Sequence, residues 1–470
     1  MRKEKTEQKT LFAVHMFRVV LELFTTTFLT SHIISVDPND IFGAGLINIG
    51  LFFIAEFITY IIIYLCISFW VGKSNRISFL RAGIVVYAIF LVVMVFYGKS
   101  IAEWVMIAGF LSGLSDAFYY SSYHVMRNEL NSRSNIKAYN ILSTIVSSVI
   151  KVVVPTILGI VIDASSYSNI AIYICILVVI QFVVSMFVKS NRPKDSVFEP
   201  LEYLKCLKAN KEARRKINYA YYNALLAGVK NCYKIIVVIL TIYTFKTNLS
   251  LGLLSSAFSL GAMLLLMLYK KFDKSPKMNK AVVYTLLGVV PFIACLVLVF
   301  YLNPVTLIIY NLCLTVAIQF SDYLGTCERD AIIKHLDMYR FIAEHQFFFE
   351  LCQCVSRVIT YILFVVAGII GDIIAFKVLL VLFLAANVAK HYVMYKQRTF
   401  RKEYEEVYFK EKELEEKEKE ESLDANKEIK GTKDKTEEIK EQKEVKTTQQ
   451  TKTVTTKKTI TKTTSKSTKK

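Results

Sequence analysis

Lysines that interrupt long apolar segments are the residues of this sequence best suited to do chemistry. Lys230 and Lys234 are four residues apart, so on a helix both side chains lie on one face, where like charges repel. Inside a bilayer, each such charge costs about 3 kcal/mol or more unless it is paired or wetted. The pair therefore indicates a water-filled, locally cationic cavity suited to a carboxylate, phosphate or other anionic group. Pairing with Glu344, Glu350 or another acid is the alternative.

Acidic residues lie inside the apolar segments as well. Asp116 is followed by Tyr119, Tyr120 and Tyr123, at spacings that place all four side chains on one helical face. A carboxylate beside phenol hydroxyls can bind a cation or a polar solute, or hold a proton. A polar seam between neighbouring helices is the alternative, and Asp322 is the counterpart of Asp116 later in the chain.

A further group of charges lies near the middle of other segments. Arg18 and Glu22 are one turn apart, so they form either an intrahelical salt bridge or a gated pair that lines a cavity. Glu56 is an alternative partner for Arg18, and Lys151 and Arg357 are also mid-segment. The predicted substrate-binding or ion-coupling residues are Arg18, Glu22, Glu56, Asp116, Tyr120, Lys151, Lys230, Lys234, Asp322, Glu350 and Arg357. Two histidines, His124 and His345, could form a proton relay or simply lie at the interface.

Twelve long apolar segments carry these residues. Of the 470 residues, 54% are hydrophobic, and the mean hydropathy is +0.41. The segments are approximately 11–34, 46–71, 82–97, 101–124, 139–162, 168–188, 217–244, 249–269, 281–301, 304–325, 343–368 and 371–395. About 20 helical residues cross a bilayer core, in which the backbone must satisfy its own hydrogen bonds. The sequence therefore predicts an all-α membrane protein with twelve transmembrane helices.

Basic residues alternate between the loops and so predict the orientation. Loops on one side carry many lysines and arginines, whereas those on the other offer only Lys99, Lys246 and, at a helix edge, Lys377. Positively charged loops stay in the cytoplasm, so we predict a multi-pass protein of the plasma (inner) membrane with both termini cytoplasmic. The same loops account for most of the net charge of +19, and nucleic-acid binding is not expected.

A faint internal repeat divides the twelve segments into two groups of six. Ser115-Asp116 recurs as Ser321-Asp322, and Lys151 corresponds to Arg357 at the same offset of 206. We predict a six-helix bundle over 1–188, a cytoplasmic linker over 189–216, a second bundle over 217–395, and a charged helical, then disordered tail over 396–470. Leucines beside basic residues at about 201–208 predict an amphipathic linker helix, either interfacial or simply solvated.

Motifs for catalysis and cofactor binding do not occur in the sequence. It contains no phosphate-binding Gly-x-x-x-x-Gly-Lys-Ser/Thr loop, no His-Glu-x-x-His, no paired-cysteine motif and no nucleophile elbow. We therefore predict no enzyme activity, no cofactor and no resident metal. The expected partners are a small-molecule substrate, a coupling proton or sodium ion, and the lipid bilayer, around a monomer.

The architecture resembles the major facilitator superfamily, with six plus six helices and a long basic central loop. The loop GKSNR at 72–76, with Arg81 further on, is similar to the family's Gly-rich signature, although the expected acid is replaced. Pro155 and Gly159 are similar to the fifth-helix pattern of its drug–proton antiporters. The resemblance implies alternating access, and we predict a secondary transporter of a small organic, anionic or amphipathic solute. A drug or lipid exporter is one alternative, and a polytopic membrane enzyme or sensor is another.

Overall fold

The protein is helical throughout the regular elements of its described residues. The computed structural model describes residues 2–35, 40–71, 76–130, 135–165, 167–188, 198–272, 280–335 and 341–400. Within them, twelve helices are long and apolar enough to cross a membrane. They are α1 (2–35), α2 (41–71), α3 (Arg76–Tyr97), α4 (Ile101–Leu130), α5 (Asn135–Ala164), α6 (Tyr167–Met186), α7 (Lys211–Phe245), α8 (Asn248–Phe272), α9 (Lys280–Phe300), α10 (Pro304–His335), α11 (Ile342–Ile370) and α12 (Ile373–Phe400). The predicted all-α fold with twelve membrane-spanning helices is confirmed.

Two of the differences between the observed and the predicted helix boundaries have local reasons. The third segment is extended by its flank to Arg76, which gives α3 a spanning length. The seventh helix begins at Lys211 rather than at residue 217, because the Asn210 side chain accepts a hydrogen bond from Ala213 N at 3.0 Å and caps it. A separate linker helix spans Pro200–Ala209. The signature loop at 72–75 and the predicted tail at 401–470 lie outside the described residues.

The packing of the helices repeats after every six. In the first set, α4 packs on both α2 and α3, and α6 packs on α1 and α3. In the second, α10 packs on both α8 and α9, while Tyr233 of α7 and Asn387 of α12 donate hydrogen bonds to Phe383 O of α12 and Leu287 O of α9. The pairs α2–α11 and α5–α8 join the two sets, and they too are related by an exchange of six positions. This repetition fits a duplicated unit, while the predicted domain boundaries stay a prediction.

The seam between α5 and α8 depends on two glycines. A Cβ atom on Gly252 would lie 2.3 Å from Pro155 O, and one on Gly159 would lie 2.7 Å from Asn248 O. Only glycine lets the backbones approach so closely here. Because successive helices cross in opposite directions, the start of α1, the end of α2 and the linker helix share one face of the protein, the N-terminal face. We call the other side of the protein, where α1 ends and α2 begins, the opposite face.

Candidate functional site

A cavity of about 370 Å³ lies between the two sets of helices, and it gathers every residue of the predicted site. Its walls come from α1, α2, α3, α4, α5, α7, α10 and α11. The predicted residues that line it are Arg18, Glu22, Glu56, Asp116, Tyr120, Lys151, Lys230, Lys234, Asp322, Glu350 and Arg357. They come from seven different helices, so one cavity explains why so many charges interrupt apolar segments.

One ion pair joins α1 to α4 at the cavity wall. The Arg18 guanidinium is 1% exposed, donates through Nη2 to Asp116 Oδ1, and donates through Nη1 to Ser115 Oγ at 3.2 Å. It also lies 4.6 Å from the ring centroid of Tyr87, close enough for a cation–π contact. The partner of Arg18 is therefore neither of the two expected acids, Glu22 and Glu56, because the neighbouring helix brings Asp116 closer.

A second ion pair occupies the corresponding helices of the other set. Lys230 Nζ of α7 donates to Asp322 Oδ1 of α10. The alternative of pairing with an acid therefore applies to Lys230, and the acid is Asp322 of α10 rather than Glu344 or Glu350. Each set of helices thus contains one cation–carboxylate pair between its first and its fourth helix.

Two cavity lysines differ from Lys230, because no acidic residue in the described part of the chain lies close to them. Among the described residues, no carboxylate oxygen lies within 4.0 Å of Nζ of Lys151 or Lys234. Both interact at longer range with Glu22 and Asp322, and with Lys230. The part of the cavity around them contains three lysines against two carboxylates.

The positive charge is local to that part of the cavity. Over the whole lining, five lysines and arginines are balanced by five aspartates and glutamates. Arg357 donates to Gln353 Oε1 at 2.6 Å and lies 4.8 Å from the ring centroid of Phe57. Glu350 Oε1 lies 3.8 Å from His124 Nε2. The prediction of a cationic centre thus applies to the lysine cluster alone, defined by Lys151, Lys230 and Lys234.

The serines and threonines of the cavity were not predicted from the sequence. Ser143 and Ser147 precede Lys151 at helical spacing on α5, and this periodicity was the available signal. Thr25 and Thr26 lie in a π-helical turn of α1, Phe24–Leu29, that no sequence pattern revealed. Such turns are frequent at functional sites, since they redirect side chains.

The predicted histidine relay is divided between two places. His124 lines the cavity, but His345 does not. His345 lies beside the linker helix, where its Nδ1 is 3.0 Å from Tyr203 Oη. His15, which was not predicted, lines the cavity and stacks on Tyr123 with ring centroids 4.0 Å apart. The cavity histidines are therefore His15 and His124.

The family model described as Major Facilitator Superfamily matches residues 14–327. The chain belongs to the major facilitator superfamily. None of the curated proteins matches its sequence. This superfamily member is similar in structure to a human organic anion transporter, MFSD10 (TETRAN), at a TM-score of 0.53 and 11% identity, with 83% of this chain and 99% of that chain covered.

A second structure is also similar to this superfamily member. It is a bacterial homologue of the iron transporter ferroportin in an inward-facing state, with a TM-score of 0.60 and 11% identity. The match covers 83% of this chain and 98% of that one. At this identity the likeness shows the fold alone. Together with the family match, it makes the chain a multi-pass membrane transporter of the superfamily.

Proposed function

We propose that this transporter carries a small organic anion across the plasma membrane, and that Lys151 and Lys234 bind the negatively charged group of that anion. The observation that carries the proposal is the absence, among the described residues, of a carboxylate oxygen within 4.0 Å of either Nζ atom. A buried cation without a close counter-charge is costly in the membrane interior. A substrate carboxylate or phosphate supplies that counter-charge and forms charge-assisted hydrogen bonds.

The charge of the lysine cluster favours a negatively charged substrate group. Lys151, Lys230 and Lys234 face Glu22 and Asp322, and Lys390 of α12 also interacts with Lys230 and Asp322, so lysines outnumber carboxylates around the cluster. The organic part of the substrate can lie against aromatic side chains of the same cavity, such as Tyr120 and Tyr361.

The polar lining separates this proposal from the alternatives. Ten charged side chains line the cavity, which suits a polar solute better than an amphipathic drug or a lipid. The similar folds include a protein described as an organic anion transporter and a homologue of an iron transporter, so the fold does not choose the substrate. The proposal of an anionic substrate therefore rests on the lysine cluster.

Contacts between the two sets of helices support alternating access. At the opposite face, Ser31 Oγ of α1 donates to Asn248 Oδ1 of α8 at 2.6 Å. The Asp163 carboxylate of α5 accepts hydrogen bonds from Asn248 N at 3.2 Å and Leu249 N at 2.8 Å, at the start of α8. Opening the cavity toward that face requires these contacts to break. Since they are few and polar, they can break and re-form in each cycle.

Glu56 is the residue to which we assign the coupling proton. Among the described residues, its buried Oε2 atom has no hydrogen-bond partner, and its neighbours Arg357 and Arg18 are engaged with Gln353 and Asp116. A carboxyl group in such a place is more easily accommodated when it carries a proton. We further propose that both termini lie in the cytoplasm, as the loop charges indicate, and that the transporter is a monomer.

The test is flux through sealed proteoliposomes that contain only this protein. The probes are radiolabelled monocarboxylates, dicarboxylates and phosphate monoesters, each compared with an uncharged analogue of matched size. We expect uptake of at least one anion, and none of its uncharged analogue. Absence of flux for every anion would overturn the proposal, and chemical turnover of a probe would favour a membrane enzyme.

A further inference from the structure

The linker helix presents an exposed face with an unusual composition. Leu201, Leu204, Lys205 and Lys208 follow the spacing i, i+3, i+4 and i+7, so their side chains share one face of the helix. Leu201 is 73% exposed and Leu204 is 37% exposed, and both lysines are exposed. Two leucines and two lysines side by side fit the boundary between lipid chains and headgroups better than open water.

The other side of the linker helix is fixed to the second set of helices. The Tyr203 hydroxyl is buried and lies 2.7 Å from Tyr221 Oη of α7 and 3.0 Å from His345 Nδ1 of α11. Burial raises the pKa of the Tyr203 phenol, so it stays neutral and can donate within this network. Leu207 is buried on the same side. The anchoring leaves the leucine–lysine face pointing outward.

An aromatic cluster places the linker helix at the level of the membrane boundary. The ring of Phe198, two residues before the helix, packs edge-on against Phe69 at 5.1 Å and against Phe347 at 5.7 Å. Phe69 and its neighbour Trp70, which is 61% exposed, lie at the end of α2. Tryptophan at the end of a spanning helix marks the interface between water and lipid. The linker helix therefore begins at that depth.

The local charge selects one kind of lipid. Residues 200–216 contain six lysines and arginines against two glutamates. One glutamate, Glu212, binds Lys216 at 2.8 Å, which leaves the excess charge on the exposed side chains. Clusters of basic residues at the end of spanning helices attract anionic headgroups.

We propose that the linker helix is a binding site for anionic phospholipids. Leu201 and Leu204 contact the upper part of the acyl chains, while Lys205 and Lys208 donate hydrogen bonds to the phosphate oxygens. Because Tyr203 joins the helix to α7 and α11, the bound lipid holds these two helices at the N-terminal face. This inference does not depend on the identity of the transported solute.

The two tryptophans of the chain provide the measurement. Trp70 follows Phe69, whose ring packs on Phe198 just before the linker helix, whereas Trp104, near the start of α4, lies at the opposite face. Trp104→Phe leaves Trp70 as the only donor for energy transfer to pyrene-labelled phosphatidylglycerol or phosphatidylcholine, titrated into nanodiscs that contain the full chain. We expect preferential transfer to phosphatidylglycerol. Lys205→Gln/Lys208→Gln should weaken that binding about 30-fold, because each lysine near an anionic surface contributes about fivefold.

A matched control removes two lysines at the opposite face. Lys246→Gln/Lys377→Gln has the same change in net charge and should keep the phosphatidylglycerol preference at Trp70. All variants should have the thermal stability of the parent, since the substituted side chains are not part of the core. Equal transfer to both lipids in the parent, or an unchanged preference in Lys205→Gln/Lys208→Gln, would overturn the inference.

Discussion

Lys234→Met tests whether Lys234 binds the substrate or stabilises the folded protein. In the proposed role, the ammonium of Lys234 donates a charge-assisted hydrogen bond to the substrate, and methionine keeps the length of the side chain without the charge. A hydrogen bond to a charged group contributes about 1.5–3 kcal/mol, so the anion should bind about 10-fold to 150-fold more weakly. The free energy of unfolding should stay the same or rise, since no close ion pair is lost and a buried charge is removed.

The measurement is calorimetric titration of the purified protein with the anion that gives the strongest uptake in proteoliposomes, together with thermal unfolding of each variant. Lys377→Met is the matched control, because Lys377 lies at the start of α12 and does not line the cavity. It should bind the anion as the parent does. An unchanged affinity in Lys234→Met, or a stability loss of several kcal/mol without loss of affinity, would refute the assignment.

Three further tests address the second ion pair, the cap on α8 and the seam between α5 and α8. Lys230→Met should lower the free energy of unfolding by about 2 kcal/mol, less than the 3–5 kcal/mol of a fully buried pair, because Asp322 is 34% exposed to the cavity. Adding Asp322→Asn should restore most of that loss, and additive losses in this double-mutant cycle would contradict the pairing. Asp163→Ala removes the cap on α8 and should cost about 1 kcal/mol in thermal unfolding, with Asn248 N left exposed; no loss would exclude a stabilising cap. Gly252→Leu should abolish transport by separating α5 from α8, and normal flux would show that the seam tolerates a side chain.

Glu56→Gln tests the proton assignment on its own. Glutamine has the shape of a protonated glutamate, so binding of the anion should persist. Uptake driven by a pH gradient should be lost, while exchange of the anion across the membrane continues. The measurement compares gradient-driven uptake with counterflow in proteoliposomes. Gradient-driven uptake equal to that of the parent would assign coupling to another residue or to another ion.

The residues of the cavity were accessible to sequence reasoning because charges are rarely tolerated in lipid. Every lysine, arginine, aspartate and glutamate of the lining was predicted from the sequence, because each one interrupts an apolar segment. Ser143 and Ser147 were not predicted. A serine hydroxyl can donate a hydrogen bond to the backbone of its own helix, as Ser147 does, so burying it in the membrane costs little free energy. The sequence therefore reveals the cavity residues that are costly to bury in lipid, and not those that are easily buried.

The partners of those charges depend on distances between helices, which the sequence does not contain. Arg18 pairs with Asp116 on α4 rather than with Glu22 one turn away. The internal repeat was also only a partial guide. Asp116 and Asp322 are 206 residues apart, whereas their partners Arg18 and Lys230 are 212 apart. The register between the first and the seventh helix has therefore shifted, and a single offset could not have located both pairs.

The glycines at the α5–α8 seam also affect what else can cross the membrane. Where Gly159 and Gly252 lie against the facing backbone, the two helices approach each other without a side chain at these two positions, which leaves little room for water. A carrier that leaked ions during each turnover would dissipate the gradient that drives it. We therefore expect the closeness of these two backbones to limit the leakage of ions through this seam.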